Sequence, residues 1–505
     1  MLDIKQDRVA DPGAVLFFGL VVLLAFAPLF RAGNRPLPLL VMELLALALL
    51  SWRFWSPLPD SQPLSRSQWI FLALLLLLPL AQLLSTPLEV WANLPGRAFY
   101  AEALGQVDDG SAGFDWRAIS LIPTATESAW LALLPPLAVF LAAIHLPSPR
   151  LERLILVFLG IAVVEALLGL IQYGDGPDSV FRFGNNMMGQ SASGTYANRN
   201  HLAGLLEMAL PIGLALLAAT VGHGRPPVHS SRSRRHRTFR QWLARFSVAR
   251  INQAVLFAAV AIAVLLGLIF TRSRMGIGMA MLGILLCTLM FSHRLGGRNA
   301  YGLIGTISAV GVGLASLIGL APVLSRFTLQ DPLEDGRWKI FDATVQAIGE
   351  FFPLGSGPGT YQSVMQRFHP ADLLGVTINH AHNDYLEWLL ELGLAAAILL
   401  AIGLLFYVRQ WGRVWKRGEW AQFRSVQAGA GIALLLMLLH SLVDFNLRIP
   451  ANAVFTAFLA AIFFHRPPSD DERRRPSRRQ EAASESKPPP VYAIPQENQS
   501  NPFAE

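Results

Sequence analysis

Histidine and acidic side chains lie close together in the segment NHAHNDYLEWLLELG, residues 379–393. His380, His382 and Asp384 alternate along the chain, which would allow metal binding on an extended segment, but neither an HExxH motif nor a Cys/His cluster accompanies them. Asn383 or Asp384 would instead cap a helix that begins here. A histidine whose pKa lies near neutrality needs no metal to act as a general base, and we assign that role to His382.

Two arginines lie in the short connection TRSR, residues 271–274, between two apolar runs. Guanidinium groups bind phosphate in bidentate geometry and stay charged in a partly dry site. For Arg274, which precedes Met275 and Gly276, we therefore predict contact with an anion. Arg272 would either make a similar contact or extend to the phosphates of membrane lipids.

Two further pairs of polar residues have helical spacing. Glu387 and Glu391 share one face of a predicted membrane helix, where a carboxylate must face protein or water and not lipid. They would orient His382 or bind a neighbouring arginine. His440 and Asp444 also share a face, and we expect them to pair with each other.

A membrane-embedded scaffold must position these residues. The chain has 505 residues, a mean hydropathy of +0.42 and 15% charged residues, which is too apolar for a soluble protein of this length. A membrane helix needs roughly 20 mainly apolar residues. The sequence predicts an all-α polytopic membrane protein with about twelve spans, near 14–30, 37–52, 69–84, 127–145, 152–172, 201–221, 251–270, 275–291, 300–320, 386–408, 425–444 and 450–465.

The positive charge follows this topology. Between the sixth and seventh spans, residues 222–250 contain eight arginines and no acidic residue, so this loop is predicted to be cytoplasmic. Twelve spans then place both termini in the cytoplasm, including a tail, residues 466–505, that is too polar to fold. The pI near 9.8 therefore indicates membrane orientation and not nucleic-acid binding. The only cysteine, Cys287, excludes an intramolecular disulfide.

Three loops fall on the opposite side, at residues 85–126, 173–200 and 321–385, the last between the ninth and tenth spans. In the longest loop, residues 335–352 have the spacing of an amphipathic helix that would lie on the membrane surface. Its predicted apolar face consists of Trp338, Phe341, Val345 and Ile348. The GSGPG segment that follows lacks the GK[ST] of a nucleotide-binding loop and is predicted to be a turn.

Five segments together resemble the O-antigen ligase and O-antigen polymerase family of bacterial envelope proteins. They occur in the same order as in that family, over about residues 180–460. The most specific element is His382 with Asn383, followed by Leu386 and Gly393. The segments are GTYANRNHLAG, SRMG, GRWKIF to PLGSGPGTY, HNDYLEWLLELG and HSLVDFNLRIPAN. Ala396 occupies a position that is often Gly, Thr or Tyr in ligases, which leaves the subtype open.

The resemblance implies a metal-independent glycosyltransferase, without a cofactor, at the periplasmic face of the inner membrane. The donor would be a glycan on undecaprenyl diphosphate, and the acceptor a hydroxyl on lipid A core, on another lipid-linked repeat or on a protein serine. His382 would be the catalytic base, and Arg274 and Arg199 would hold the diphosphate. The remaining residues assigned to substrate binding are Arg272, Arg337, His380, Asn383 and Asp444.

Two other classes of function fit the membrane topology. A transporter or flippase of lipid-linked glycans would line a pathway with its intramembrane charges. No internal repeat is evident, however, and the polar residues gather at one face instead of the bilayer midplane. A membrane scaffold would leave the histidines and arginines without a role.

Overall fold

The computed structural model describes residues 11–56, 64–107, 116–183, 189–222, 248–295, 305, 309, 313, 336–416 and 422–466. These residues are mostly helical, and eight of their helices are long and apolar enough to cross a membrane. Three shorter apolar helices accompany them. The predicted helical membrane class is therefore confirmed. The described residues leave out most of the basic loop and nearly all of the tail, and they include only residues 305, 309 and 313 of the predicted ninth span. The count of twelve spans therefore stays a prediction.

A small sheet region interrupts the helices that precede residue 200. Helices α1 to α3 are followed by a two-stranded antiparallel sheet, β1 with β2, which pairs Ser85 with Ala118 and Pro87 with Trp116 and which the all-α prediction did not include. The elements are α1 (Pro12–Phe26), α2 (Pro36–Trp55), α3 (Arg66–Ala81), β1 (Ser85–Pro87), α4 (Leu88–Ala92), α5 (Ala98–Val107), β2 (Trp116–Ala118), α6 (Pro123–Leu131), α7 (Leu134–Ile144) and α8 (Ser148–Asp175).

The later helices carry the polar segments that the sequence singled out. They are α9 (Arg199–Gly222), α10 (Val248–Phe270), α11 (Arg274–Leu295), α12 (Arg337–Phe351), α13 (Tyr361–Met365), α14 (Asp384–Leu392), α15 (Leu394–Lys416), α16 (Gln422–His440) and α17 (Pro450–Phe464). Helix α9 is enclosed by protein along its whole apolar window and packs on α8, α10, α11 and α16. An apolar sequence without a polar face is typical of such a central helix.

The predicted tenth span, residues 386–408, is wrong in its bounds. Gly393 separates α14 from α15, and the candidate membrane span is Leu394–Trp415. Gly393 has a φ of +57°, and a Cβ there would lie 2.0 Å from the Pro353 carbonyl oxygen. Only glycine tolerates both conditions. Glu387 and Glu391 therefore belong to a short helix that precedes the membrane span.

Helix α12 confirms the helix predicted for residues 335–352 and adds a second face. Trp338 and Val345 of the predicted apolar face are exposed, whereas Phe341 and Ile348 are half-buried. The face that packs on α14 and α13 consists of Ile340, Ala343, Thr344, Ala347 and Phe351. These residues are mostly smaller, which is why hydrophobicity alone did not single them out. Contact of Trp338 and Val345 with the membrane surface stays a prediction.

The Gly393 break yields a test with a matched control. We expect Gly393→Ala to destabilise the protein, by about 1 to 3 kcal/mol from backbone conformation alone, because alanine must adopt the positive φ and meet the Pro353 carbonyl. Gly349→Ala, in α12 with no atom within 4 Å of its added Cβ, should be neutral or stabilising by up to about 1 kcal/mol. Thermal unfolding of both purified variants in detergent measures the difference. Equal thermal unfolding midpoints for the two variants would contradict the conclusion that position 393 requires glycine.

Candidate active site

Asp444 is fully buried where the chain leaves α16. The Asn200 side-chain amide, from the first turn of α9, donates to its Oδ2 at 2.8 Å, and the backbone N–H of Phe445 donates to Oδ1 at 2.9 Å. Arg337, the first residue of α12, brings Nη2 to 3.6 Å from Oδ2. Three elements distant in the sequence therefore converge on one carboxylate.

Two histidines face the same carboxylate oxygen. His382 Nδ1 lies 3.4 Å and His201 Nε2 lies 3.8 Å from Asp444 Oδ1. Burial would raise the pKa of Asp444, but the two histidines and Arg337 outweigh burial and hold that pKa well below its usual range. These neighbours favour the ionised form of Asp444, whose Oδ1 faces the imidazole of His382.

His382 lies in a constrained turn just before α14. Its φ of +50° is in the left-handed region that non-glycine residues rarely adopt. Its side chain is 28% exposed, in contrast to the fully buried Asp444. The turn directs one ring nitrogen to the carboxylate while leaving part of the ring accessible, which is the arrangement that a general base requires.

Asn383 fixes the position of this turn. Its side-chain oxygen accepts hydrogen bonds from the backbone N–H groups of Tyr385 and Leu386, both at 3.0 Å, which makes it the N-cap of α14. Its side-chain amide donates to the Leu442 carbonyl at 2.8 Å. The capping alternative is thus confirmed, and Asn383 ties α14 to the connection that carries Asp444.

His380 belongs to a second, separate cluster. Its Nδ1 lies 3.0 Å from Glu387 Oε1, and its ring stacks on Phe445 with centroids 4.2 Å apart. The ring of His382 contacts the same Phe445 at 4.9 Å. Burial alone would lower the pKa of His380, but Glu387 reverses the effect and raises it. The two histidines therefore face different carboxylates.

Arg448 completes this cluster. It lies 3.3 Å from Glu387 and forms an ion pair and hydrogen bond with Glu391. Although burial opposes ionisation, Arg448 and His380 lower the pKa of Glu387 to about 2. Both glutamates therefore bind Arg448, as the sequence allowed, and the alternative that they orient His382 is wrong: Asp444 is the carboxylate that faces it.

Glu391 also closes the GSGPG turn. Its Oε1 accepts from the backbone N–H groups of Gly359 at 2.9 Å and Tyr361 at 3.4 Å. Gly355, Gly357 and Gly359 all have positive φ, which confirms the predicted turn. The turn thus binds a carboxylate of its own chain.

The expected pairing of His440 with Asp444 is wrong. His440 Nδ1 lies 2.9 Å from Glu207 Oε2, and both side chains are fully buried between α16 and α9. Asp444 forms no ion pair with His440 in the described structure; its backbone N–H donates to the His440 carbonyl at 3.1 Å. The sequence could not show this, because Glu207 is over 200 residues away.

The predicted arginines lie at neighbouring ends of these helices. Arg274, at the start of α11, and Arg337 line one cavity of about 300 Å³ together with Asn200 and Trp338. Arg199 begins α9, with its Nη1 3.5 Å from Ser191 Oγ, and Arg272 lies in the turn before α11 with a φ of +58°. The structure therefore brings Arg274 and Arg337 to a cavity beside Asp444, and Arg199 and Arg272 are not among its lining residues.

Sequence reasoning missed several residues of the site. Asn200 and His201 lie in the GTYANRNHLAG segment, where only Arg199 was given a role. Arg448 and Phe445 lie in HSLVDFNLRIPAN, where only His440 and Asp444 were given roles. Helical periodicity gave no sign that these segments meet around one carboxylate, since their contacts are long-range.

This is a helical membrane protein with a buried aspartate that faces His382 and contacts Arg337 and Asn200, two of the residues that line the cavity. Residues 258–401 match the family model described as O-antigen ligase. The match includes Arg274, Arg337 and His382, lies within the resembling region, and confirms the resemblance to the O-antigen ligase and polymerase family. A comparison with curated proteins finds no match.

The buried Arg448 cluster yields a stability test. Arg448→Met removes the cation between Glu387 and Glu391, which are 1% and 2% exposed, so we expect a loss of about 3 to 5 kcal/mol. Lys339→Ala is the control, because its ion pair with Asp372 is exposed to solvent and should contribute little to stability. Chemical denaturation in detergent compares the variants. Similar effects for both would show that the buried cluster does not stabilise the fold.

Proposed function

We propose that this protein transfers a glycan from undecaprenyl diphosphate to an acceptor hydroxyl, with His382 as the general base. The observation that carries the proposal is that Asp444 faces both His382 and Arg337, and that Arg337 lines a cavity together with Arg274. The O-antigen ligase match over residues 258–401 supports this class of reaction.

In the proposed mechanism, the Nδ1–H group of neutral His382 donates a hydrogen bond to Asp444, which holds the tautomer in which Nε2 carries no proton. The contact of 3.4 Å is long, but catalytic hydrogen bonds often shorten only when substrate binds. Nε2 takes the proton of the acceptor hydroxyl as its oxygen bonds to the anomeric carbon of the donor sugar. The bond from that carbon to the diphosphate breaks, so the configuration at the carbon is inverted.

The leaving diphosphate gains negative charge as its bond to the sugar breaks. Arg274 and Arg337 line the cavity beside Asp444 and would stabilise that charge without a soluble cofactor. Arg337 is also fixed by its donation to the Val443 carbonyl at 2.9 Å. Arg199 and Arg272 would bind the diphosphate or the surrounding lipid headgroups from the adjoining helix ends.

The acceptor distinguishes three versions of this reaction. A ligase uses lipid A core, a polymerase uses another lipid-linked repeat, and an O-oligosaccharyltransferase uses a protein serine. Supplying all three acceptors to vesicles with labelled lipid-linked donor separates the versions by product. A transporter or flippase would move the donor without consuming it.

His382→Ala should reduce glycan transfer in vesicles by about 10²- to 10⁴-fold, the usual contribution of a general base. Asp444→Asn should also reduce transfer, because a neutral amide no longer fixes the His382 tautomer. His369→Ala is the control, since the hydrogen bonds of its ring go to backbone carbonyls, those of Pro370 and Val376, and not to a carboxylate among the described residues. Full transfer by His382→Ala at normal membrane abundance would refute the proposed base.

Arg274→Lys should weaken transfer by roughly tenfold or more, because an ammonium group cannot reproduce two parallel hydrogen bonds to a phosphate. Arg413→Lys, on the exposed surface of α15, should behave as the unaltered protein. Donor KM in vesicles measures the effect. A normal KM for Arg274→Lys would argue against bidentate contact.

The proposed site requires the periplasmic face of the inner membrane, with both termini cytoplasmic. In a Cys287→Ala background, Thr377→Cys, which is exposed, should react with an impermeant maleimide added to intact spheroplasts. Ser230→Cys, in the arginine-rich loop, should react only after the membrane is permeabilised. The reverse pattern would place His382 on the cytoplasmic side and exclude a periplasmic donor.

A further inference from the structure

The cavity that Arg274 and Arg337 share is lined by residues of two chemical kinds. The proposed function uses only its cations, which would hold a diphosphate. The apolar part of its lining has no ligand in that reaction as described so far. The apolar lining residues that concern us are Met275, Trp338 and Phe341. The volume of about 300 Å³ is at the small end of the range for ligand pockets, which suits an anion together with one ring.

Helix α12 brings a cation and two aromatic rings to this cavity. Residues three and four apart are neighbours on a helix surface, so Phe341 adjoins both Trp338 and Arg337. The rings of Trp338 and Phe341 meet edge to face, with centroids 5.4 Å apart. Arg337 Nη2 lies 3.6 Å from Asp444 Oδ2. The indole therefore follows directly after the guanidinium that contacts the buried carboxylate.

Trp338 is available to a ligand. Its side chain lines the cavity and is 71% exposed, whereas Phe341 is half-buried. Contact with Phe341 braces the indole, and most of the surface of the indole remains open. An aromatic ring in this state offers a large, rigid apolar face at the edge of a cationic cavity.

The proposed reaction requires a sugar at this position. The sugar carbon that reacts is bonded to the diphosphate, so its ring must lie next to the groups that hold that anion. The apolar C–H face of a pyranose ring packs well on an aromatic ring. We propose that Trp338, braced by Phe341, binds the sugar unit that is directly bonded to the diphosphate. This inference rests on the proposed function, because it takes the anion held by Arg274 and Arg337 to be that diphosphate.

The first isoprene unit, on the other side of the diphosphate, is the alternative ligand for the indole. Two observations favour the sugar. Arg337 contacts Asp444, the carboxylate that faces His382, so Trp338 adjoins the end of the cavity at which the sugar must react. An isoprenoid chain belongs in the bilayer, and α12 is not among the candidate membrane spans of the described residues.

The test measures binding to the full chain in lipid nanodiscs. The probes are inorganic pyrophosphate, which is the anion alone, the 1-phosphates of glucose, galactose and N-acetylglucosamine, and dimethylallyl diphosphate, which carries one isoprene unit. Phosphorus NMR line broadening gives a Kd for each. Trp338→Leu should raise the Kd of at least one sugar 1-phosphate about two- to tenfold, because it removes the aromatic face and keeps an apolar side chain. The Kd of pyrophosphate should not change.

Three further variants make the comparison specific. Trp338→Phe keeps a ring and should raise the Kd of the sugar 1-phosphate less than Trp338→Leu does. Arg274→Lys should weaken binding of pyrophosphate and of the sugar 1-phosphate alike. Val345→Ala is the matched control, because Val345 is also exposed on α12 and does not line the cavity. It should bind every probe as the unaltered protein does.

A transfer assay gives a second readout. Trp338→Leu should raise donor KM by a similar two- to tenfold factor and change kcat less, since the contact with the sugar is present both before and in the transition state. An unchanged thermal unfolding midpoint for Trp338→Leu would show that weaker binding is not misfolding.

The two proposals fail separately. His382→Ala should bind all probes normally, and if it also transferred glycan normally, only the proposed base would be lost. The sugar contact would be overturned if pyrophosphate bound and no sugar 1-phosphate did, or if Trp338→Leu weakened both equally. Weaker binding of dimethylallyl diphosphate by Trp338→Leu, with the Kd of every sugar 1-phosphate unchanged, would overturn it in favour of an isoprene contact.

Discussion

Buried carboxylates must be matched by donors or cations, and this requirement determines how the polar segments of the protein are arranged. Asp444, Glu207, Glu387 and Glu391 are almost completely inaccessible to solvent. An isolated ionised carboxylate is costly in a low-dielectric interior. Each is therefore matched by a partner from a distant part of the sequence: Arg337 for Asp444, His440 for Glu207, and Arg448 for the other two.

These pairings also explain the backbone conformation of the turn that precedes α14. Arg448 and the GSGPG turn hold α14 from two sides, and the Asn383 cap holds its N-terminus. His382 precedes that cap and is kept at positive φ by contacts on both sides. The strained turn persists because neighbouring interactions over-determine it, as is common where a side chain must point into a site.

The helical class, the longest apolar helices and the segments that form the site could be predicted from the sequence, because hydrophobic length and residue types are local properties. The partners of the buried polar side chains could not be predicted in this way. His440 was expected to pair with Asp444 because both lie on one helix face, but the structure gives it Glu207 instead. The role of Gly393 was likewise hidden, since the Pro353 carbonyl that excludes a side chain there is 40 residues away. Periodicity describes one helix, whereas both facts concern the packing of two segments.

The complete enclosure of α9 has a consequence for the order of assembly. This helix carries Glu207 inside its apolar window, and the partner of Glu207 lies on α16, which the ribosome completes only after another 200 residues have been made. Until α16 inserts, Glu207 lacks its His440 partner, and the side of α9 that packs on α16 is uncovered. The site around Asp444 therefore comes into being only with the last part of the chain, after α16 has packed on α9.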